Sequence, residues 1–175
     1  MTGNSSQIFS TQVGPHDNLK AVIEKHKDYE YKKPISDHTK TAFEEAERFV
    51  ELQRKHLIFD SGCGTGDSTV YLAQRFPSHV VIGIEKSDVR LRKANRLERP
   101  QNMLLVRADQ FDFWRCADKA QWHVEAHFLF YPNPWPRKNH LSRRVHGHPA
   151  FFSFLNISGF IHLRSNWQIY LQEFA

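Results

Sequence analysis

The chain has 175 residues, a length that suits one compact domain and leaves little room for a second. Hydrophobic residues make up 40% of it, including 14 Phe and 4 Trp, which argues against an intrinsically disordered chain. Lys and Arg exceed Asp and Glu by 24 to 19, so an anionic partner such as nucleic acid is weakly favoured. Because the sequence contains neither a run of about 18 apolar residues nor a basic-then-apolar leader, we expect no membrane span and no secretion.

The first 36 residues are expected to form a flexible or irregular amino-terminal arm, since residues 1–17 are rich in Gly, Asn, Ser, Thr and Gln. Asp37 is expected to cap a helix whose apolar positions recur at helical spacing. These positions are Ala42, Phe43, Ala46, Phe49 and Val50. Residues 37–175 are then predicted to form the folded domain.

Five short apolar runs follow and alternate with stretches of helical length. The apolar runs predict buried strands at residues 57–59, 80–84, 103–106, 128–131 and 160–163. Helices are predicted for residues 68–76, 87–97 and 145–155, and a further helix begins near residue 166. The repeated order of strand and helix predicts an α/β fold, a doubly wound, mainly parallel Rossmann-like sheet with helices on both faces.

A glycine-rich turn follows the first predicted strand. Gly62, Gly64 and Gly66 alternate there, so the backbone can approach a ligand closely and the next helix can begin beside it. Glu85 ends the second strand, 19 residues after Gly66, where a carboxylate can accept hydrogen bonds from both hydroxyls of an adenosine ribose. Asp60, directly before the turn, would repel a diphosphate but suits the ammonium group of a methionine. The pattern therefore favours S-adenosylmethionine as cofactor over a dinucleotide.

Each of these residues also has a plainer interpretation: a ligand-free glycine turn, an exposed carboxylate at a strand end, or, for Asp60, a capping residue. Asp109, at the end of the third strand, could accept a hydrogen bond from the adenine amino group or could cap the helix that follows. Cys63 lies inside the glycine turn, and a bridge to Cys116 would tie the turn down. A reducing environment, and hence a cytoplasmic location, is therefore expected.

The fourth strand ends in a proline-rich loop, Tyr131-Pro132-Asn133-Pro134-Trp135-Pro136. The three prolines make the loop stiff at the carboxyl end of a strand, where open sheets bind ligands. A basic run follows, with Arg137, Lys138, His140, Arg143 and Arg144. Such a run beside an active-site edge can hold nucleic-acid phosphates, although it can also be a solvated face. The other basic run, residues 90–96, is interpreted as the outer side of an ordinary helix.

At these residues the sequence resembles the tRNA (guanine-N7)-methyltransferases, which methylate a guanine in the variable loop of tRNA. The similarity extends over residues 57–174 and is most specific at residues 130–135 together with the basic run. The resemblance implies cofactor contacts at Asp60, Glu85, Asp109 and Asn133, substrate contacts at Arg137 and Asn166, and RNA contacts in residues 139–144. In that family the sheet continues with a further helix and an antiparallel hairpin, so the carboxy-terminal strands are expected to be missing from this chain.

The chain departs from the family pattern at four places. The family's Pro-Asp-Pro-Trp has Asn133 in place of Asp, and its Thr-Asp-Trp is here Ser165-Asn166-Trp167. Two family basic positions are Asn139 and Ser142, and a later Thr-x-x-Glu segment would lie beyond Ala175. Each departure removes a charge or a contact.

The predicted reaction is methyl transfer from S-adenosylmethionine to N7 of guanine in tRNA, which needs alignment rather than a general base because N7 carries a free lone pair. Asn133 would orient the base and Trp135 would cover it or stack on it, while Arg137, His140, Arg143 and Arg144 would hold phosphates. No metal is predicted, and the oligomeric state is open.

Two alternatives remain. An amide at position 133 both donates and accepts hydrogen bonds, so it also suits an adenine-N6 or similar amino methyltransferase, whose Asn-Pro-Pro-aromatic loop this segment resembles. The departures from the family also fit a non-catalytic paralogue that binds the cofactor or RNA without turnover.

Overall fold

The computed structural model describes residues 8–94 and 98–175, which form a sheet of five parallel strands in the order β3-β2-β1-β4-β5. The strands are β1 (His56–Ser61), β2 (His79–Glu85), β3 (Met103–Arg107), β4 (Val124–Phe130) and β5 (Ser158–Arg164). The strand order reverses between β1 and β4, and open sheets of this type bind ligands outside the carboxyl ends of the strands at such a point. The predicted doubly wound parallel sheet is confirmed.

Helices connect and flank these strands. They are α1 (Leu19–Lys27), α2 (Asp37–Gln53), α3 (Asp67–Arg75), α4 (Asp88–Ala94), α5 (Gln110–Lys119), α6 (Phe151–Ile157) and α7 (Gln168–Phe174). Two short 3-10 helices, Lys138–Arg143 and Val145–Gly147, precede α6. The helix predicted at residues 87–97 extends into residues 95–97, which lie outside the described residues.

Apolar side chains cover both faces of the sheet, because alternate residues of a strand point to opposite sides. On one face Phe59 of β1 packs in a core with Phe113 of α5 and Phe154 of α6, and all three are fully buried. On the other face Ile58 packs with Leu72 of α3. Helices therefore lie on both sides of the sheet. The glycine turn joins β1 to α3 at the carboxyl edge of the sheet.

Three element boundaries differ from the predictions. β4 begins at Val124, four residues before the predicted start, because the buried polar His127 interrupts the apolar pattern. The helix predicted from residue 145 begins only at Phe151, since Pro149 restricts the residue before it. Asp37 is the first residue of α2 rather than its cap, and Ser36 occupies the capping position without a capping hydrogen bond from its side chain.

In the described part of the amino-terminal segment, from residue 8 onward, helix α1 forms where an irregular chain was expected. None of the α1 residues is buried. Gln12, in contrast, is only 6% exposed and lies against the carboxy-terminal helix α7, where it meets Glu173. The boundary between arm and domain at residues 36 and 37 stays a prediction.

Candidate cofactor and acceptor site

The glycine turn between β1 and α3 holds three residues in the left-handed region, with φ of +76° at Gly62, +60° at Gly64 and +85° at Gly66. A Cβ atom on Gly66 would lie 3.0 Å from Leu105 Cδ1, so this position also needs glycine for packing. A Cβ atom on Gly64 would meet nothing within 4 Å. The backbone of the turn therefore faces open space at Gly64, where a ligand can approach it.

Glu85 connects this turn to the end of β2. Its Oε2 atom accepts a hydrogen bond of 3.0 Å from the Gly64 amide, and Oε1 accepts one of 2.7 Å from the Ser87 amide. Arg90 Nη1 lies 3.5 Å from Oε2. Because a carboxylate has about four acceptor positions, Glu85 keeps capacity for further donors such as ribose hydroxyls.

Asp60 lies beneath the turn and is 1% exposed. Its Oδ2 atom accepts hydrogen bonds of 2.6 Å from Ser68 Oγ and 2.7 Å from Thr69 Oγ1. Its Oδ1 atom is buried and has no hydrogen-bond partner within the described ranges. Burial raises the pKa of this carboxyl group against the effect of the two hydroxyls. A buried acceptor without a partner fits the cationic group of a methionine-type cofactor.

Asp109 caps helix α5. Its Oδ1 atom accepts a 3.0 Å hydrogen bond from the Phe111 amide, and Lys86 Nζ donates to Oδ2 at 2.9 Å. Burial raises the pKa of Asp109, but the hydrogen bond and charge of Lys86 outweigh it and leave the pKa below its usual value. The capping role is confirmed, and an adenine contact stays a prediction.

A cavity of about 350 Å³ brings four predicted site residues together: Gly62, Glu85, Asp109 and Asn133. A second, larger cavity of about 740 Å³ runs along α3 and shares Gly62, Phe130 and Tyr131 with the first. Asp60 lines neither of these cavities. The carboxyl ends of β1, β2 and β4 thus converge on one site, with cofactor-type acids on one side and the proline-rich loop on the other.

The proline-rich loop has an unusual backbone. Tyr131 and Trp135 have φ of +52° and +45°, values that non-glycine residues rarely adopt. The Tyr131 amide donates to the Arg164 carbonyl at 2.8 Å, which extends the pairing of β4 with β5 into the loop. Such a conformation persists only where surrounding contacts impose it.

Three predicted RNA-binding residues lie close together after this loop. The guanidinium of Arg143 lies 4.7 Å from the centre of the Trp135 ring, and His140 meets the same ring edge-on at 5.3 Å. Burial and the charges of Arg143 and Arg137 lower the pKa of His140. Arg137 and Arg143 are exposed. The two arginines can pair with the phosphates of a nucleic-acid backbone, and the Trp135 ring can stack on a base.

The structure corrects the prediction for Arg144. Its side chain is 0% exposed, and Nη1 pairs with both carboxylate oxygens of Glu173, at 2.6 Å and 2.5 Å. A buried guanidinium cannot reach a phosphate in solvent, so Arg144 does not belong to the RNA-binding set. Asn166 is exposed after the end of β5 and lines neither cavity.

Two basic residues at the cofactor cavity were missed by sequence reasoning. Lys86 and Arg90 line the cavity beside Glu85 and Asp109. Arg90 had been interpreted as part of an ordinary outer helix face, and the structure instead turns it toward Glu85. Lys86 directly follows Glu85 in the sequence, and Arg90 lies one helical turn further along. This spacing could have identified both residues as neighbours of Glu85.

In residues 8–94 and 98–175, no helix is long and apolar enough to cross a membrane. Over the same residues, no group of three or more His, Cys, Asp or Glu is placed to hold a metal ion.

Comparison with known proteins agrees with this geometry. The profile of a protein family described as "Putative methyltransferase" matches residues 54–175. A tRNA (guanine-N(7)-)-methyltransferase of Mycoplasma genitalium is 32% identical over 110 residues, which is 59% of this chain and 50% of that protein. The enzyme of the same name from Mycoplasma pneumoniae is 26% identical over 132 residues, 71% of this chain and 62% of that protein. The chain thus spans between 50% and 62% of the length of these relatives.

Human methyltransferase-like protein 13 in complex with SAH matches with a TM-score of 0.47 and 16% identity, over 70% of this chain and 60% of that one. At this score the likeness adds nothing to the argument. The fold and the site fit the class of protein that the family profile names, a methyltransferase. Because the family profile covers well over half of the chain, the protein belongs to this methyltransferase family, and the predicted resemblance to the tRNA (guanine-N7)-methyltransferases is confirmed.

Proposed function

We propose that the chain transfers a methyl group from S-adenosylmethionine to N7 of a guanine in tRNA. The observation that carries the proposal is the position of Asn133, which lines the same cavity as Glu85 and Asp109. A base held by this amide would lie next to a cofactor held by the two acids. The choice of guanine N7 in tRNA as the methyl acceptor follows the names of the two Mycoplasma relatives.

The cofactor would be held at the carboxyl ends of β1, β2 and β3. Glu85 would accept hydrogen bonds from the ribose hydroxyls, Asp109 one from the adenine amino group, and Asp60 Oδ1 would face the ammonium group. The glycine turn allows the backbone to approach the ligand at Gly64, where the space beside the Cα atom is open. When bound, S-adenosylmethionine supplies an electrophilic methyl group on a sulfonium.

The acceptor side has to align the base rather than remove a proton. Guanine N7 carries a lone pair that is free at neutral pH, so attack on the methyl group needs orientation and exclusion of water. Asn133 can orient the base through its amide, and Trp135 offers a stacking surface. No general base is required from this chain.

The tRNA would be held by the basic cluster behind the loop. Arg137 and Arg143 are exposed, and the Arg143 guanidinium lies against the Trp135 ring, which His140 meets edge-on. Phosphates bound there would place the RNA beside the mouth of the cavity. The proposal keeps residues 37–175 as the catalytic domain and residues 1–36 as its arm. It includes a cytoplasmic location, which the two free thiols at Cys63 and Cys116 favour.

The test is incubation of the protein with labelled S-adenosylmethionine and an unmodified tRNA transcript, followed by nucleoside analysis. We expect 7-methylguanosine, and we expect Asn133→Ala to lose most of it. Asn156→Ala, an exposed amide on α6, is the matched control. Formation of N6-methyladenosine would replace the proposal with the amino methyltransferase alternative. Cofactor binding in calorimetry without any labelled acceptor would favour the non-catalytic paralogue.

A further inference from the structure

A buried polar cluster lies behind the proline-rich loop, and we call its four members, Gln12, Arg144, His146 and Glu173, the Arg144 clamp. Arg144 and Glu173 form an ion pair with side chains that are 0% exposed. His146 Nε2 donates to Glu173 Oε2 at 2.8 Å. Gln12 Nε2 donates to Glu173 Oε1 at 2.6 Å. The clamp joins the amino-terminal arm, the segment before α6 and helix α7.

Arg144 also binds the main chain of the loop that carries Asn133. Its Nε and Nη2 atoms each donate to the Trp135 carbonyl at 3.2 Å, and Nη2 lies 3.5 Å from the Arg137 carbonyl. Trp135 is one of the two loop residues with positive φ. The guanidinium therefore holds the carbonyl of a residue in a rarely populated conformation, two positions after Asn133.

The amino-terminal arm completes this arrangement. Gln12 Oε1 accepts a 2.9 Å hydrogen bond from Arg144 Nη2, and the His16 amide donates to Glu173 Oε1 at 2.9 Å. Ser10 Oγ donates to the Pro136 carbonyl at 2.7 Å. The arm thus lies along the outer side of the loop and is bonded to both the loop and the clamp.

The chemistry of the Arg144 clamp indicates that it orients the proline-rich loop rather than simply stabilising the fold. A buried ion pair gains little stability over a well-packed apolar pair, because desolvation offsets the attraction of the charges. A guanidinium, however, has five N–H donors in a fixed planar arrangement and can set the relative position of several acceptors at once. Arg144 uses these donors on a carboxylate, a side-chain amide and two loop carbonyls.

We propose that Arg144 is a positioning residue for methyl transfer: supported by Glu173 and Gln12, it fixes the loop of residues 131–137 so that Asn133 faces the cofactor cavity. The inference rests on the proposed function for its catalytic part. Through Gln12 and Glu173, the amino-terminal arm and α7 would help to hold the loop that positions the methyl acceptor, although both lie away from the cofactor cavity.

The test compares Arg144→Lys, which keeps the charge but loses the planar donors, with the wild-type protein. We expect kcat for tRNA methylation to fall by about 10- to 100-fold, while the Kd values for S-adenosylmethionine and tRNA stay unchanged. Gln12→Ala removes only the link to the arm and should give a smaller loss of kcat. Gln172→Ala, an exposed neighbour of Glu173 on α7, is the matched control and should retain wild-type kcat.

Salt dependence separates positioning from phosphate binding. For Arg143→Gln the slope of log Kd for tRNA against log salt should fall by about one, as expected for one lost phosphate contact. For Arg144→Lys and Arg144→Gln the slope should not change. A reduced slope in Arg144→Gln together with a wild-type kcat in Arg144→Lys would overturn the inference.

Hydrogen–deuterium exchange provides a measurement that does not depend on activity. In Arg144→Lys and Gln12→Ala, amides of residues 131–140 should exchange faster, whereas amides of β1 and β2 should keep their wild-type rates. Equal acceleration in all strands would reduce Arg144 to general stabilisation and overturn the inference. If the wild-type protein methylates no tRNA, the proposed function fails, and the exchange experiment still decides whether the clamp holds the loop.

Discussion

The two halves of the site are held in place by different means. On the cofactor side, the Gly62 and Cys63 amides donate to the Ile84 carbonyl at 2.8 Å and 3.1 Å, and the Gly64 amide donates to the Glu85 carboxylate, so bonds from the main chain of the turn to the adjacent end of β2 define the turn. On the acceptor side, the loop depends on side chains from distant parts of the chain. Gln12 and Glu173, for example, are 161 residues apart.

This difference indicates how each half responds to change. The cofactor side is built into the sheet, so its geometry follows from the fold. The acceptor side combines positive φ at Tyr131 and Trp135 with a buried ion pair, and its geometry therefore depends on a long-range network of side chains. Single substitutions should uncouple the two halves, with cofactor binding surviving the loss of the clamp.

The largest effect is expected for Glu173→Ala, which leaves the Arg144 guanidinium buried without its carboxylate. The free energy of unfolding should fall by about 3–5 kcal/mol in urea denaturation. Gln172→Ala, its exposed neighbour, should change it by less than about 0.5 kcal/mol. If Glu173→Ala is no less stable than Gln172→Ala, the acceptor side does not depend on the buried pair.

The converse change is Glu85→Ala, which removes the acceptor of the Gly64 amide and the proposed acceptor of the ribose hydroxyls. The free energy of S-adenosylmethionine binding, measured by calorimetry, should become less favourable by about 2–3 kcal/mol, because hydrogen bonds to a charged group are lost. Hydrogen exchange at residues 131–140 should be unaffected. The exposed Glu44→Ala on α2 serves as the control. A loop that loosens in Glu85→Ala would show that the two halves are coupled.

Acid should lower the free energy of unfolding through His127 and Glu173 in two different pH ranges. His127, beneath the sheet edge, bonds Ser61 Oγ at 2.7 Å and Ser158 Oγ at 2.9 Å, and burial lowers its pKa from 6.5 to about 3. The unfolded chain therefore takes up a proton at this residue below pH 6.5 while the folded chain does not, and stability falls as the pH drops toward 3. The loss per group is at most about 1.4 kcal/mol per pH unit.

Glu173 acts at lower pH. Although burial raises its pKa, hydrogen bonds from His146 and Arg144 outweigh burial and hold the pKa below the usual 4.5. Its contribution is complete above pH 4.5 and is lost only as the pH falls further. His127→Gln should thus reduce the pH dependence of unfolding between pH 6.5 and 4.5. Glu173→Gln should not reduce it, because loss of the carboxylate lowers the pKa of His146 further. Identical profiles for the two variants would contradict this assignment.

The smallest effect is expected for the conservative change Asn133→Asp. Asn133→Asp places an acceptor-only carboxylate opposite the N1 and N2 donors of guanine. The activation free energy of 7-methylguanosine formation should therefore fall by about 1 kcal/mol, and the rate should rise accordingly. The same variant should lose any N6-methyladenosine formation. A rate that does not change would show that the side chain at this position does not contact the base.

Local patterns in the sequence were sufficient to predict the strands, the glycine turn and the strand-end residues Glu85, Asp109 and Asn133. Apolar runs and turn residues act over a few neighbours, and parallel strands bring their carboxyl ends to one edge whatever the details of packing. Asp109 was predicted as either a helix cap or a cofactor contact, and the structure confirms the cap.

The tertiary structure alone decided which basic residues face inward. Arg143 and Arg144 are adjacent and of the same residue type, but the 3-10 helix Lys138–Arg143 places Leu141 and, three residues later, Arg144 on its inner side. Arg144 is stable there only because Gln12 and Glu173 arrive from the two ends of the chain to meet its donors. No local pattern records such a meeting, since burial of a charge depends on partners that only the folded chain brings together.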